Sequence, residues 1–153
     1  MGYAAVKLSV VLRNVTRIHV DSAPLIYFVE RNPVYVERMK AVMRRVQHNG
    51  LQLSFSVITV PEVLNKPIAK GDAKLQALYR ALLTQTRNVE LHPLTLAIAE
   101  KAASLRAAHN LRTPDAIQIA TAIETACDTF LTNDKGLKRV DDLRVLILDE
   151  LEI

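Results

Sequence analysis

Short β-rich runs alternate with longer helical stripes along almost the whole sequence, and this alternation restricts the possible folds more than any other feature. Arg17 to Val20, Leu51 to Ile58, Val89 to Leu91, Thr129 to Thr132 and Val145 to Leu148 read as strands. Helices are predicted between them, over Ser22 to Arg31 and Val34 to His48. A further helix starts at Thr59, weakens at Lys66-Pro67 and gives way at Gly71 to another that runs to Thr86. Two more cover Leu94 to Ala108 and a segment capped by Thr113, with Pro114 at its first position, where proline is favoured. Val36, Met39, Val42, Met43 and Val46 recur at spacings of three and four, which marks one buried helix face; Ala116, Ile119, Ala120, Ile123 and Cys127 form a second stripe. Pro33 and Asn49-Gly50 punctuate the pattern. Strands joined by helices predict a parallel sheet covered on both faces, an α/β fold.

A chain of 153 residues, half of them hydrophobic, suits a single domain, and no repeat or Gly/Ser linker divides it. Only 5% of residues are aromatic and tryptophan is absent, so the core must be aliphatic. The single cysteine, Cys127, excludes an internal disulfide and a cysteine-based zinc site. The longest apolar run, Leu25 to Val29, is far too short to span a membrane. Leu8 to Leu12, flanked by Lys7 and Arg13, lacks a small-residue cleavage site, so a signal peptide is not expected and a cytoplasmic protein is. Glycine-rich dinucleotide and P-loop motifs and a serine-hydrolase elbow are missing, which removes those chemistries. His19, His48, His92 and His109 lack metal-ligand spacing and read as structural or surface residues; Cys127 reads as core. The net charge of +4 permits a nucleic-acid partner without demanding one. From Val34 to Gly50 only Glu37 opposes Arg38, Lys40, Arg44 and Arg45, whereas Asp141 to Ile153 is acidic.

In an open parallel sheet ligands bind beyond the carboxyl ends of the strands. Asp21 directly follows the first strand, and Asp134 follows the fourth. Glu62 and Asp115 fall in the first turns of helices whose N-termini lie at the same edge. Each has a local alternative. Asp21 can cap a helix, Thr59-Val-Pro-Glu62 matches a capping box, Asp115 suits a helix dipole and Asp134 suits a turn. Gathered at one rim, however, such carboxylates repel one another unless a cation lies between them. An all-oxygen cluster suits Mg²⁺ or Mn²⁺, which can activate water at a phosphate.

Four segments carry a resemblance: Val20-Asp-Ser-Ala-Pro-Leu-Ile, Ser56-Val-Ile-Thr-Val-Pro-Glu62, Leu111-Arg-Thr-Pro-Asp115-Ala-Ile-Gln-Ile-Ala-Thr-Ala and Phe130-Leu-Thr-Asn-Asp134-Lys. Together they are similar to the motifs of PIN-domain proteins, above all the VapC-type toxins of toxin–antitoxin pairs. The likeness runs from about Thr16 to Leu148. It implies a three-layer α/β/α domain with a parallel sheet of four or five strands in the order 3-2-1-4-5. It also implies a Mg²⁺- or Mn²⁺-dependent endoribonuclease acting on RNA, a homodimer, and inhibition by a VapB-like antitoxin. By position Asp21, Glu62, Asp115 and Asp134 match the family's acidic residues, with Ser22 and Thr132 in supporting places. Arg38, Arg44, Arg45, Arg112 and Lys135 are candidates for holding RNA phosphates.

Two features depart from the family pattern. Lys135-Gly136-Leu137 follows Asp134 where many relatives carry a further Asp, and residues 1–14 precede the usual start, as an N-terminal extension or a misassigned beginning. Two other classes could carry such a rim. A receiver-like phosphoacceptor normally needs an adjacent acidic pair, and Asp21 is followed by Ser22. A PIN-like scaffold that binds RNA or protein without cleaving has no use for mutually repelling carboxylates.

Overall fold

A computed structural model describes residues 5–153. The described chain begins with a short strand, β1 (Val6–Lys7), and one helical turn, α1 (Leu8–Val11). The main sheet then alternates with helices: β2 (Arg17–Val20), α2 (Ser22–Val29), α3 (Val36–Asn49), β3 (Gln52–Ser56), α4 (Thr59–Ala69), α5 (Ala73–Gln85) and β4 (Val89–His92). It continues through α6 (Leu96–His109), α7 (Thr113–Glu124), β5 (Thr129–Thr132), a 3-10 turn over Lys135–Arg139, and β6 (Arg144–Ile147), and ends in β7 (Leu151–Glu152). All strand pairs of the five-stranded sheet are parallel, in the order β4-β3-β2-β5-β6. Counted over the five strand candidates, this is the predicted order 3-2-1-4-5. Among the described residues no helix is long and apolar enough to cross a membrane.

The pleat sorts side chains to two cores. Ile18, Val20, Leu53, Phe55 and Leu131 join Leu25, Met39, Val42, Val46 and Tyr79 in an aliphatic cluster beneath α2 to α5. On the opposite face Phe130 packs with Ile98, Leu105, Ala116, Ile119 and Ala120 of α6 and α7. The stripe foreseen in α3 is the buried one, with Met39, Val42, Met43 and Val46 turned inward.

Several boundaries differ from the sequence reading for identifiable reasons. α2 stops at Val29 because Arg31 turns left-handed, and α3 begins at Val36, two residues later than expected. α4 does not weaken at Pro67 but runs through it to Ala69; the buried ring lies near the helix end, where its missing N–H forfeits one bond only. Thr113 is the first residue of α7, not its cap; Arg112 stands at the cap position and makes no side-chain capping bond. The capping box at α4 is not formed either, because Ile58 occupies the cap and Glu62 is engaged elsewhere. Cys127 lies beyond α7, in the turn after the left-handed Ala126, half-buried against the second cluster rather than on the helix stripe.

Within the described part of residues 1–14, the chain is built into the fold. β1 pairs in parallel with β7, Val6 opposite Leu151, and Leu8, Val11 and Leu12 are buried in the first cluster. Arg144 donates to the Val11 carbonyl and Arg45 to that of Ser9, which satisfies groups the short α1 leaves open. Truncating a buried leucine removes apolar burial and leaves a cavity, so Leu12→Ala is expected to cost about 2–5 kcal/mol. Urea unfolding would detect this as a lowered midpoint; an unchanged midpoint would mean that the segment contributes no packing.

A candidate acidic metal centre

The carboxyl ends of the strands carry the residues singled out from sequence. Asp21 extends β2 by one rung, its N–H donating to the Leu131 carbonyl, and then caps α2 by accepting from the Ser22 N–H at 2.8 Å. Its second oxygen accepts from the buried Thr132 hydroxyl at 2.8 Å, and that hydroxyl accepts in turn from the Asp134 N–H at 3.1 Å. Thr132 thereby links the end of β5 to the end of β2.

Glu62 lies in the first turn of α4 and accepts on Oε1 from the Ser22 hydroxyl at 3.1 Å and the Gln118 amide at 3.4 Å. Asp115 lies in the first turn of α7, where Arg112 Nε approaches its carboxylate at 3.3 Å. The Arg112 side chain is 81% exposed, so this pair is screened and weak. Among the described residues Asp21 and Glu62 make no ion pair. Burial pushes the Asp21 carboxyl up to about 6 and the charges of Asp115 and Glu62 add to the rise, against the bonds from Thr132 and Ser22. Asp21, Glu62 and Asp115, from three different elements, thus share one electrostatic neighbourhood.

Asp134 stands apart from this trio. It is exposed, and its carboxylate caps the 3-10 turn by accepting from the Gly136 N–H at 2.9 Å. A Cβ at Gly136 would come within 3.1 Å of that oxygen, so glycine permits the close turn. The turn role considered from sequence is realised at Asp134, and the structure ties it to the rim through its backbone and Thr132.

The basic candidates separate into two places. Arg112 sits beside Asp115, and Lys135 pairs at 3.4 Å with Asp149, which also accepts from the Tyr35 hydroxyl at 2.8 Å. Arg38 stacks over the Tyr35 ring, and these partners together hold the Asp149 carboxyl below its usual range. Arg44 and Arg45 instead lie in the second half of α3, away from the rim. Arg44 borders a groove of about 580 Å³ between α2, α3 and α5, with Phe28, Val29 and Met43 on its floor and Arg31 and Lys40 on its lip.

Sequence reasoning missed Asp149, which follows β6 at the same edge, and the buried polar set of His19, Ser54, Thr59 and Gln118 behind Glu62. The available signal was a Gln and a Thr interrupting the Ala/Ile surface of α7, and a histidine inside a four-residue strand. The remaining histidines are accounted for locally: His92 contacts Glu90 and His109 contacts Asp142, while His48 is exposed. Among the described residues the trio whose potential ligand atoms all converge within 4.8 Å is His109, Asp141 and Asp142, whose shortest contact is an ordinary 2.7 Å hydrogen bond. The rim carboxylates are not drawn together as closely, as like charges without a counter-charge dictate.

A parallel α/β sheet with carboxylates from the ends of β2, α4 and α7 defines a class of protein whose chemistry sits at one strand edge. Residues 18–143 match the family model described as PIN domain, and the chain belongs to the PIN-domain family. No curated protein matches the sequence. Among solved structures, the fold is similar to VapBC2 from Rickettsia felis bound to a promoter DNA fragment, at 14% identity and a TM-score of 0.69 over 86% of this chain and 98% of that one. A toxin–antitoxin complex from Klebsiella pneumoniae matches at 21% identity and a TM-score of 0.66, covering 86% of this chain and 97% of the other. VapC20 from Mycobacterium tuberculosis, described as a sarcin–ricin loop cleaving toxin, matches at 13% identity and 0.63, covering 80% and 94%.

The Asp21 shift has a consequence for stability. A carboxyl raised in the folded state from 3.8 to about 6 favours folding most below pH 4, and that contribution fades as pH rises through 6. A shift of this size corresponds to roughly 3 kcal/mol at most. In chelator-treated protein, Asp21→Asn should therefore gain stability over wild type as pH rises from 4 to 7, with little difference at pH 4. Thermal midpoints measured across that range test this, and a gap independent of pH would mean that Asp21 titrates normally.

Proposed function

We propose that this chain is a Mg²⁺- or Mn²⁺-dependent endoribonuclease of the VapC type, the toxin of a toxin–antitoxin pair. The observation that carries the reading is the gathering of Asp21, Glu62 and Asp115 at one strand edge, with the Asp21 carboxyl raised and, among the described residues, the trio's one ion pair made by the exposed Arg112. The donor set is all oxygen, which fits a hard divalent cation. Asp21, Glu62 and Asp115 would hold the ion, with Asp134 at the margin. When bound, such an ion supplies charge neutralisation at a phosphate and lowers the pKa of a coordinated water.

The chain's own residues do the rest. Thr132 and the Ser22 N–H hold the two oxygens of Asp21 in fixed directions, and Ser22 holds one oxygen of Glu62. A rim carboxylate accepts the proton released by the attacking water. Arg112 and Lys135, exposed beside the rim, would contact backbone phosphates of RNA. RNA cleavage by the M. tuberculosis relative, on the same fold, supports this substrate class.

The toxin–antitoxin complexes among the similar structures support an antitoxin partner. The groove between α2, α3 and α5, apolar below and basic at its lip, suits an amphipathic antitoxin segment with acidic flanks. A basic antitoxin side chain, an Arg by preference, would reach the rim and offset its charge. A homodimer and a cytoplasmic location complete the reading.

Asp115→Asn keeps shape and removes a charge. It is expected to lower Mn²⁺-dependent cleavage of an RNA substrate by on the order of 100-fold or more, with the fold intact by circular dichroism. Undiminished cleavage by this variant would overturn the mechanism. A scaffold that binds RNA without cutting would show no Mn²⁺-dependent product in either protein.

A further inference from the structure

The α7 side of the sheet carries a buried polar seam where an apolar face would be the simpler solution. Gln118, one turn after Asp115 on α7, is 1% exposed, and its Oε1 lies 2.7 Å from His19 Nε2. Its Nε2 lies 3.0 Å from Thr59 Oγ1 and 3.4 Å from Glu62 Oε1. His19, fully buried at the centre of the sheet, has Nδ1 2.9 Å from the Ser54 hydroxyl, and its ring stacks on Phe130 with centroids 5.5 Å apart.

The donors and acceptors along this path can be arranged in one way only. An ionised carboxylate accepts and cannot donate, so the group that Gln118 turns toward Glu62 is its NH₂. Its carbonyl oxygen then faces His19, whose Nε2 must carry the ring proton, and Nδ1 accepts from Ser54. His19 is fully buried, its ring nitrogens meet only the neutral Ser54 and Gln118 side chains among the described residues, and no carboxylate pairs with it, so the neutral ring with one donor and one acceptor is the form that fits. Ser22 adds a second donor to the same Glu62 oxygen. Oε1 is thus gripped from behind by two inward groups, while Oε2 makes no hydrogen bond among the described residues.

A seam that served packing alone could be replaced by apolar residues without matching so many polar atoms. This one ends on a rim carboxylate. We propose that Gln118 is a positioning residue for Glu62, fixing which carboxylate oxygen faces the rim, and that His19 acts solely through Gln118 by locking its amide orientation. The inference rests on the metal-centre reading above.

Mn²⁺ binding, followed by the EPR signal of the free ion in titrations of chelator-stripped full-length protein, tests it without reference to cleavage. Gln118→Met keeps length and removes the amide, and is expected to weaken Mn²⁺ binding about tenfold, a typical effect for a group supporting a ligand. His19→Phe keeps the stack on Phe130, does not touch Glu62, and should weaken binding comparably. The double variant should be no worse than Gln118→Met alone, because His19 has nothing left to orient. Thr121→Val, which removes a buried α7 hydroxyl bonded only to the Ile117 carbonyl, should bind as wild type does. If Gln118→Met fails to fold, the double variant carries the test, since it leaves fewer buried polar atoms without partners. Wild-type Mn²⁺ affinity in Gln118→Met or in the double variant, or additive losses from the two single changes, would overturn this inference alone. A wild-type protein that binds no Mn²⁺ would overturn the metal-centre reading and this inference with it.

Discussion

The register of β2 between β3 and β5 is the constraint on which both the core and the rim depend. Ile18 and Val20 enter the aliphatic cluster under α2 to α5, while His19 between them faces α7 and stands opposite Phe130. Asp21 has the parity of His19, and its N–H continues the ladder to Leu131, so it leaves the sheet on the α7 side, where Asp115 lies in the first turn of that helix. A slip of one residue would turn His19 into the aliphatic core and Ile18 into the polar seam. The alternation of Ser54 with Leu53 and Phe55 in β3 matches the same two faces, so neighbouring strands specify one register together.

Helix capping and metal binding are compatible roles at this edge. Asp21 does cap α2, and Glu62 and Asp115 do lie in first turns, where the positive ends of helix dipoles favour negative charge. Those partial charges, with the bonds from Thr132, Ser22 and Gln118, make it tolerable to bring several carboxylates together in a folded chain. They do not cancel the repulsion, as the raised Asp21 carboxyl records. On the proposed reading this residual imbalance would draw a cation to the rim, at some expense to the stability of the metal-free protein.

Charge composition along the chain proves to be a poor guide to which cations are free. The acidic C-terminal stretch is spent locally: Asp149 engages Lys135 and Tyr35, and Glu150 engages Lys138. The basic face of α3 likewise divides, with Arg38 drawn to Tyr35 near Asp149 and Arg45 to the Ser9 carbonyl. The N-terminal segment that provides Ser9 lies before the family match yet buries Leu8, Val11 and Leu12 in the main core, which ties it to β7 at the far end of the chain.

The sequence by itself determined the fold class, the five strands and the edge at which Asp21, Glu62, Asp115 and Asp134 would lie, because periodicity and chain direction are local properties that survive without coordinates. It also made the helix stripe of α3 plain, since spacing alone dictates which face is apolar. Boundaries slipped where left-handed residues such as Arg31 and Ala126 stopped helices, a conformation that these residue types do not advertise. Only the tertiary structure decided that Glu62 abandons its capping box for Ser22 and Gln118, that Asp134 turns into its own loop, and that Arg44 and Arg45 lie away from the rim. It alone brought His19, Ser54 and Gln118 together from separate elements, because hydrogen bonds between distant segments depend on how faces meet in space, and no spacing along the chain encodes that meeting.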